Sequence, residues 1–180
     1  VAPRQGVVWL QRAFGLFFRQ PLAFCSLFVV FLCAVTVVVY LPHVGTLLAM
    51  LPLPLLSLGF MIATGSALHN GPVTPMQFVA PFRADAARRR SMILLCLIYA
   101  VAAATIMLLS HWIDEGRFEQ LQQQAMTEGG DPEQLTIDPL LLWGMVVRFG
   151  LATLLAIPFW HAPALVWWGG QGPAQALFTS

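Results

Sequence analysis

Four long stretches with at most one charge each dominate the pattern of this chain. Residues 22–41 are twenty positions with no charged side chain, and residues 44–68 are twenty-five. Residues 91–112 are twenty-two positions that include His111 but no fixed charge. Residues 139–160 are twenty-two positions with a single charge, Arg148. About 20 apolar residues, each rising ~1.5 Å along a helix, cross the hydrocarbon layer of a bilayer. Helix is the required form, because an open sheet would leave backbone polar groups unpaired in lipid. The period-two alternation of an outer-membrane barrel is missing. The pattern predicts one membrane domain, an all-α integral membrane helix bundle with four transmembrane spans. Surface segments are expected at 1–20, 69–90, 113–138 and 161–180.

Composition sharpens this reading. Hydrophobic residues make up 58% of the chain and charged residues 9%, with a mean hydropathy of +0.76. An ordinary soluble domain is about 25% charged. Nine basic and eight acidic side chains cannot clothe a soluble globule of 180 residues. An independent soluble enzyme, a disordered chain and a nucleic-acid reader with a broad basic face are therefore excluded. Cys25, Cys33 and Cys96 lie in apolar runs and read as small hydrophobes, with no disulfide framework or zinc motif. Arg4, Arg12 and Arg19 interrupt the first nineteen residues, which do not read as a signal peptide. The chain starts at Val1 and stops at Ser180 within a helical pattern, so it reads as a portion of a longer product.

Charge placement predicts orientation. Arg4, Arg12 and Arg19 precede the first span, and Arg83, Arg88, Arg89 and Arg90 lie between the second and third. Residues 113–138 hold seven of the eight acids and one arginine. The positive-inside rule puts the N-terminus in the cytoplasm and the acidic loop in the periplasm.

The surface segments have their own patterns. Residues 5–19 read as an amphipathic helix lying in the interface, with Arg4, Arg12 and Arg19 on one side and Leu10, Ala13, Phe14 and Phe17 on the other. Pro72, Pro75 and Pro81 forbid a long helix in 69–90. Asp85 is spaced to reach Arg88 or Arg89, and the Arg88–Arg90 triplet fixes topology or holds a lipid headgroup. Gly172-Pro173 repeats Gly71-Pro72, a hint of two related halves. In the acidic loop, residues 114–127 read as a helix, Gly129-Gly130 stops it, and Asp131-Pro132-Glu133-Gln134 starts another. The loop's acids read mainly as a solvated face, with binding of a cation or a basic partner as the competing reading.

Arg148 breaks the membrane pattern most sharply. A central arginine costs on the order of 2.5–3.5 kcal/mol by insertion scales, so it turns away from lipid. Pro52 and Pro54 free the carbonyls of Leu48 and Met50 in the second span, and these are its expected partners. The competing reading gives Arg148 an anionic solute or lipid. Gly59, Ala63 and Ala67 repeat every four residues, a small-residue face for internal packing or for a partner helix; Gly144 and Gly150 offer similar access. His43 and His111 sit at one level, His69 and His161 at the other, a weak arrangement for a metal or haem beside the ordinary role of interfacial histidine. No G-x-S-x-G, Walker loop or paired intramembrane carboxylate is present, so catalysis and cofactors are not expected.

Three stretches carry a resemblance: Pro3-Arg4-Gln5-Gly6 with Trp9-Leu10; the run from Pro54 to Met61; and His161 to Val166 with Gly169-Gly170-Gln171-Gly172. They resemble an uncharacterised family of small inner-membrane proteins, mostly betaproteobacterial. More distantly they resemble the six-helix membrane domain of some glycerophosphodiester phosphodiesterases. The resemblance implies the bundle, a bacterial inner membrane and two further spans beyond Ser180, but no catalytic residues. The expected role is a non-catalytic accessory or scaffold whose partners are lipid and other transmembrane proteins. The alternative is a transporter or permease component that uses Arg148.

Overall fold

The structure, a computed structural model, describes residues 3–40, 45–121 and 139–180. Among these residues every regular element is helical. Helix α1 (Pro3–Arg19) turns at Gln20 into α2 (Pro21–Val39), with Pro21 supplying a first helical position that needs no amide donor. The expected second span is divided into α3 (Gly45–Met50) and α4 (Leu53–Leu68). The break falls at Leu51-Pro52, where the proline pattern predicts it, and Pro52 accepts the Leu56 amide at 2.8 Å to start α4.

Two short 3-10 turns follow, Pro75–Phe78 and Ala80–Arg83, each with a proline in its first two positions. Gln77 holds the first together, donating to the Pro72 carbonyl at 3.0 Å. Asp85 then caps α5 (Ala86–Asp114), accepting the Arg88 amide at 3.3 Å. Its carboxylate also stands 3.8 Å from the Arg88 guanidinium, an exposed pair of little energetic weight. At 29 residues, α5 is about 43 Å long, enough to cross a bilayer with a turn or more to spare.

The chain reverses at Glu115 and Gly116, both with positive φ, and a helix, α6, begins after them and is described over 117–121. The expected helix over 114–127 is corrected at its start only: Asp114 is the last residue of α5, and α6 begins after the reversal, while 122–127 lie outside the described residues. Gly116 takes φ +77°, and a side chain there would lie 2.9 Å from the His111 ring. The remainder of the acidic segment lies outside the described residues.

Helix α7 (Pro139–Phe159) returns antiparallel along α5. A turn at Trp160-His161 leads into α8 (Ala162–Gly169) and α9 (Pro173–Thr179). The closing segment does more than rest on the surface. Ala162, Val166 and Ala176 are completely enclosed and join Leu58, Leu95 and Cys96 in the main core. The two Gly-Pro turns also lead to different elements, 3-10 turns after Gly71-Pro72 and an α-helix after Gly172-Pro173.

Four helical stretches are long and apolar enough to cross a membrane: Pro21–Val39, Leu48–Leu68, Ala86–Asp114 and Pro139–Gly169. Their outward faces are apolar, as lipid requires; Leu27 is the one buried side chain of α2. The apolar face of α1 is equally bare, with Trp9, Leu10, Phe14 and Phe18 exposed.

Candidate functional site

Polar chemistry concentrates where α5, α6 and α7 meet. Ser110, His111 and Asp114 occupy the last turn of α5. The reversal at Glu115-Gly116 swings α6 back so that Phe118 and Glu119 lie over α7. Gly144 and Arg148 are one turn apart on α7 and face this cluster. An ideal Cβ on Gly144 would lie 2.6 Å from the Asp114 Cβ, so only the bare backbone of glycine lets the carboxylate seat against α7.

Arg148 is held from four sides. Its Nε donates to Ser110 Oγ at 2.9 Å, and Nη2 donates to Glu119 Oε1 at 3.2 Å. Asp114 Oδ2 stands 3.8 Å from Nη2, an ion pair beyond hydrogen-bond distance. The Phe118 ring lies with its centroid 4.0 Å from the guanidinium carbon, a cation–π contact. The Arg148 side chain is 12% exposed and that of Asp114 0%.

The carboxylates are not equivalent. Asp114 Oδ1 accepts the Gly116 amide at 3.0 Å, while Oδ2 is buried with no hydrogen-bond partner. Glu119 is partly exposed, and its second oxygen meets His111 Nδ1 at 3.1 Å. Burial pushes the Glu119 carboxyl up, but hydrogen bonds from His111, its own backbone amide and Arg148, with the Arg148 charge, outweigh burial and hold it below its ordinary value. Its share of the clamp is therefore complete at neutral pH and fades as pH falls through that lowered value.

The partners expected for Arg148 were the carbonyls of Leu48 and Met50. That expectation is corrected: the described polar contacts of Arg148 go to Ser110, Asp114 and Glu119. Two carboxylates, Asp114 at the end of α5 and Glu119 on α6, attract a guanidinium more strongly than neutral carbonyls do. Met50 and Arg148 do line one cavity of about 330 Å³, together with Tyr99, Phe118, Glu119 and Phe149.

The other expected residues are dispersed. Arg88, Arg89 and Arg90 are exposed on the first turn of α5, at the far end from Arg148. Gly59, Ala63 and Ala67 are buried within the chain: the Phe78 ring sits against Gly59, and Leu27 of α2 packs with Ala63 and Ala67. This small-residue face receives the chain's own elements, not a partner helix. His69 and His161 are exposed at the arginine end of the bundle, at the C-cap of α4 and the N-cap of α8. His43 lies outside the described residues; among the three described histidines, His111 is the one in a polar cluster.

Ser110, Asp114, Phe118 and Glu119 were not singled out by the sequence as site residues. The available signal was Gly116, a helix-ending glycine that marks a reversal just after His111 and Asp114.

No protein-family model matches the chain, and no solved structure matches it. It is similar to a protein of Burkholderia thailandensis named "probable inner membrane protein", 29% identical over 181 aligned residues that cover all of this chain and 67% of that relative. The relative is named as an inner-membrane protein, and this chain has four helices long and apolar enough to cross a membrane.

Proposed function

We propose that the chain is a non-catalytic, multi-pass module of a bacterial inner membrane, an accessory or scaffold covered by lipid and by the helices of other membrane proteins. The observation that carries this reading is α2: nineteen residues of high hydropathy with a single buried side chain. A helix so bare of its own chain's contacts draws its position from lipid and neighbouring helices. The chemistry of Arg148 supports the same reading, because two carboxylates already share its charge. Native mass spectrometry from native-lipid discs tests it. The scaffold reading expects a second protein, or a second copy, at fixed stoichiometry. A chain that emerges alone with lipid, and supports no flux, leaves only a lipid-packing role.

The cavity of about 330 Å³ beside Arg148 favours a second reading, a transporter or permease component for a small anionic solute or lipid. Anion flux in proteoliposomes that disappears with Arg148→Gln would replace the scaffold reading.

The same proposal sets the N-terminus in the cytoplasm. Arg83 and Arg88–Arg90 gather at one end of α5, and Asp114, Glu115 and Glu119 at the other. In a chain with Cys25, Cys33 and Cys96 replaced, Gln120→Cys is expected to react with a membrane-impermeant thiol reagent on spheroplasts. Asn70→Cys is expected to react only after lysis. The reverse pattern inverts the orientation.

A further inference from the structure

We propose that His111, Asp114 and Glu119 form a binding site for a first-row divalent transition-metal ion, of which zinc is the type. One ligand atom from each lies within 4.8 Å of the others. The independent sign of a ligand is Asp114 Oδ2. It is buried in a completely enclosed side chain, hydrogen-bonds to nothing, and has its nearest cation at 3.8 Å. Its sister oxygen is already engaged by the Gly116 amide. An ionised oxygen left this way is costly, and a coordinated cation satisfies it.

The spacing fits. His111 Nδ1 and Glu119 Oε2 are 3.1 Å apart. Two donors each about 2.0–2.1 Å from a tetrahedral zinc ion sit roughly 3.3 Å from one another. Asp114 completes the set with a movement of about 1.5 Å at most. One imidazole and two carboxylates suit zinc, manganese or ferrous iron better than calcium or magnesium, which take oxygen ligands. Three protein ligands leave a position open for water. His111 and Glu119 are partly exposed and provide the way in.

Arg148 acts on this site as a positioning residue. It holds Glu119 by Oε1 and so leaves Oε2 turned toward His111. With neutral His111, the two carboxylates and Arg148 sum to −1, and a divalent ion brings the cluster to +1. Arg148 thus orients the ligands while moderating the affinity.

The test uses the full chain in lipid nanodiscs, stripped with chelator and titrated by calorimetry with zinc, manganese and magnesium chlorides in turn. One zinc per chain is expected, with a raised unfolding temperature and much weaker magnesium binding. His111→Ala and Glu119→Gln change partly exposed side chains, so folding is retained. Each is expected to lower zinc affinity roughly tenfold or more. His69→Ala and His161→Ala, at the opposite end of the bundle, are expected to leave affinity unchanged. A folded wild-type chain without saturable zinc binding overturns the proposal. So does binding that survives both His111→Ala and Glu119→Gln.

Discussion

Replacing Arg148 with leucine is expected to destabilise the bundle by about 3–5 kcal/mol, the usual cost of removing one partner from a buried ion pair. Insertion should be unaffected, because leucine is the better lipid-phase residue. The loss arises on the other side of the pair. Asp114 is completely enclosed, and Arg148 is the cation beside its unbonded oxygen. Ser110 Oγ would lose a 2.9 Å hydrogen bond, and Glu119 a 3.2 Å one. The effect is measurable as a lower midpoint of SDS-induced unfolding in mild detergent, followed by circular dichroism. Adding Asp114→Asn to Arg148→Leu removes the stranded charge and is expected to restore much of the loss, since a neutral pairless site is cheaper than a half-pair. If Arg148→Leu unfolds at the wild-type midpoint, the guanidinium merely reaches for the interface and the clamp holds nothing together.

The clamp also explains what was legible in the sequence and what was not. Spans are local properties. Twenty to thirty consecutive apolar residues announce a helix of membrane length whatever packs against it, and so the four apolar stretches emerge close to their expected bounds. Pro52 announces the break between α3 and α4, because it acts on its nearest backbone neighbours. Asp85 reads in the sequence as a partner of Arg88 or Arg89, and the structure adds its role as the cap of α5.

The Arg148 site is non-local. Its hydrogen-bond partners lie 29 and 38 positions earlier: Glu119 in a stretch whose density of acids reads as a solvated loop, and Ser110 near the end of the apolar third span. Nothing in that stretch states which acids point inward. Asp114 and Glu115 are adjacent, yet one is buried and the other exposed, because the chain turns left-handed at Glu115. The small-residue face was legible as a place of close approach, but not the identity of what approaches. The answer, Phe78, comes from a short 3-10 turn whose fold depends on Gln77 and two prolines.

Gly144 and Gly150 look alike in the sequence, two glycines six positions apart in the fourth span, and the structure separates them. Gly144→Val is expected to prise α7 from α5, because the first side-chain carbon already falls 2.6 Å from the Asp114 Cβ and 2.8 Å from its Oδ2. Overpacking of this kind costs about 1–3 kcal/mol and occasionally more. Here it also drives Asp114 away from Arg148, so the effect should reach the upper end of that range or exceed it. Gly144→Ala is expected to show the same effect in smaller measure. Gly150 has nothing within 4 Å of an added Cβ. Gly150→Ala is therefore expected to be neutral, or to stabilise α7 by about 0.5–1 kcal/mol through the lower chain entropy of alanine. Unfolding midpoints of the three variants, measured side by side in one detergent, read out the contrast. Equal losses at 144 and 150 would mean that lipid packing, not the seat of Asp114, governs this helix. Opposite signs would identify the Gly144–Asp114 contact as the point where the two longest helices are held together.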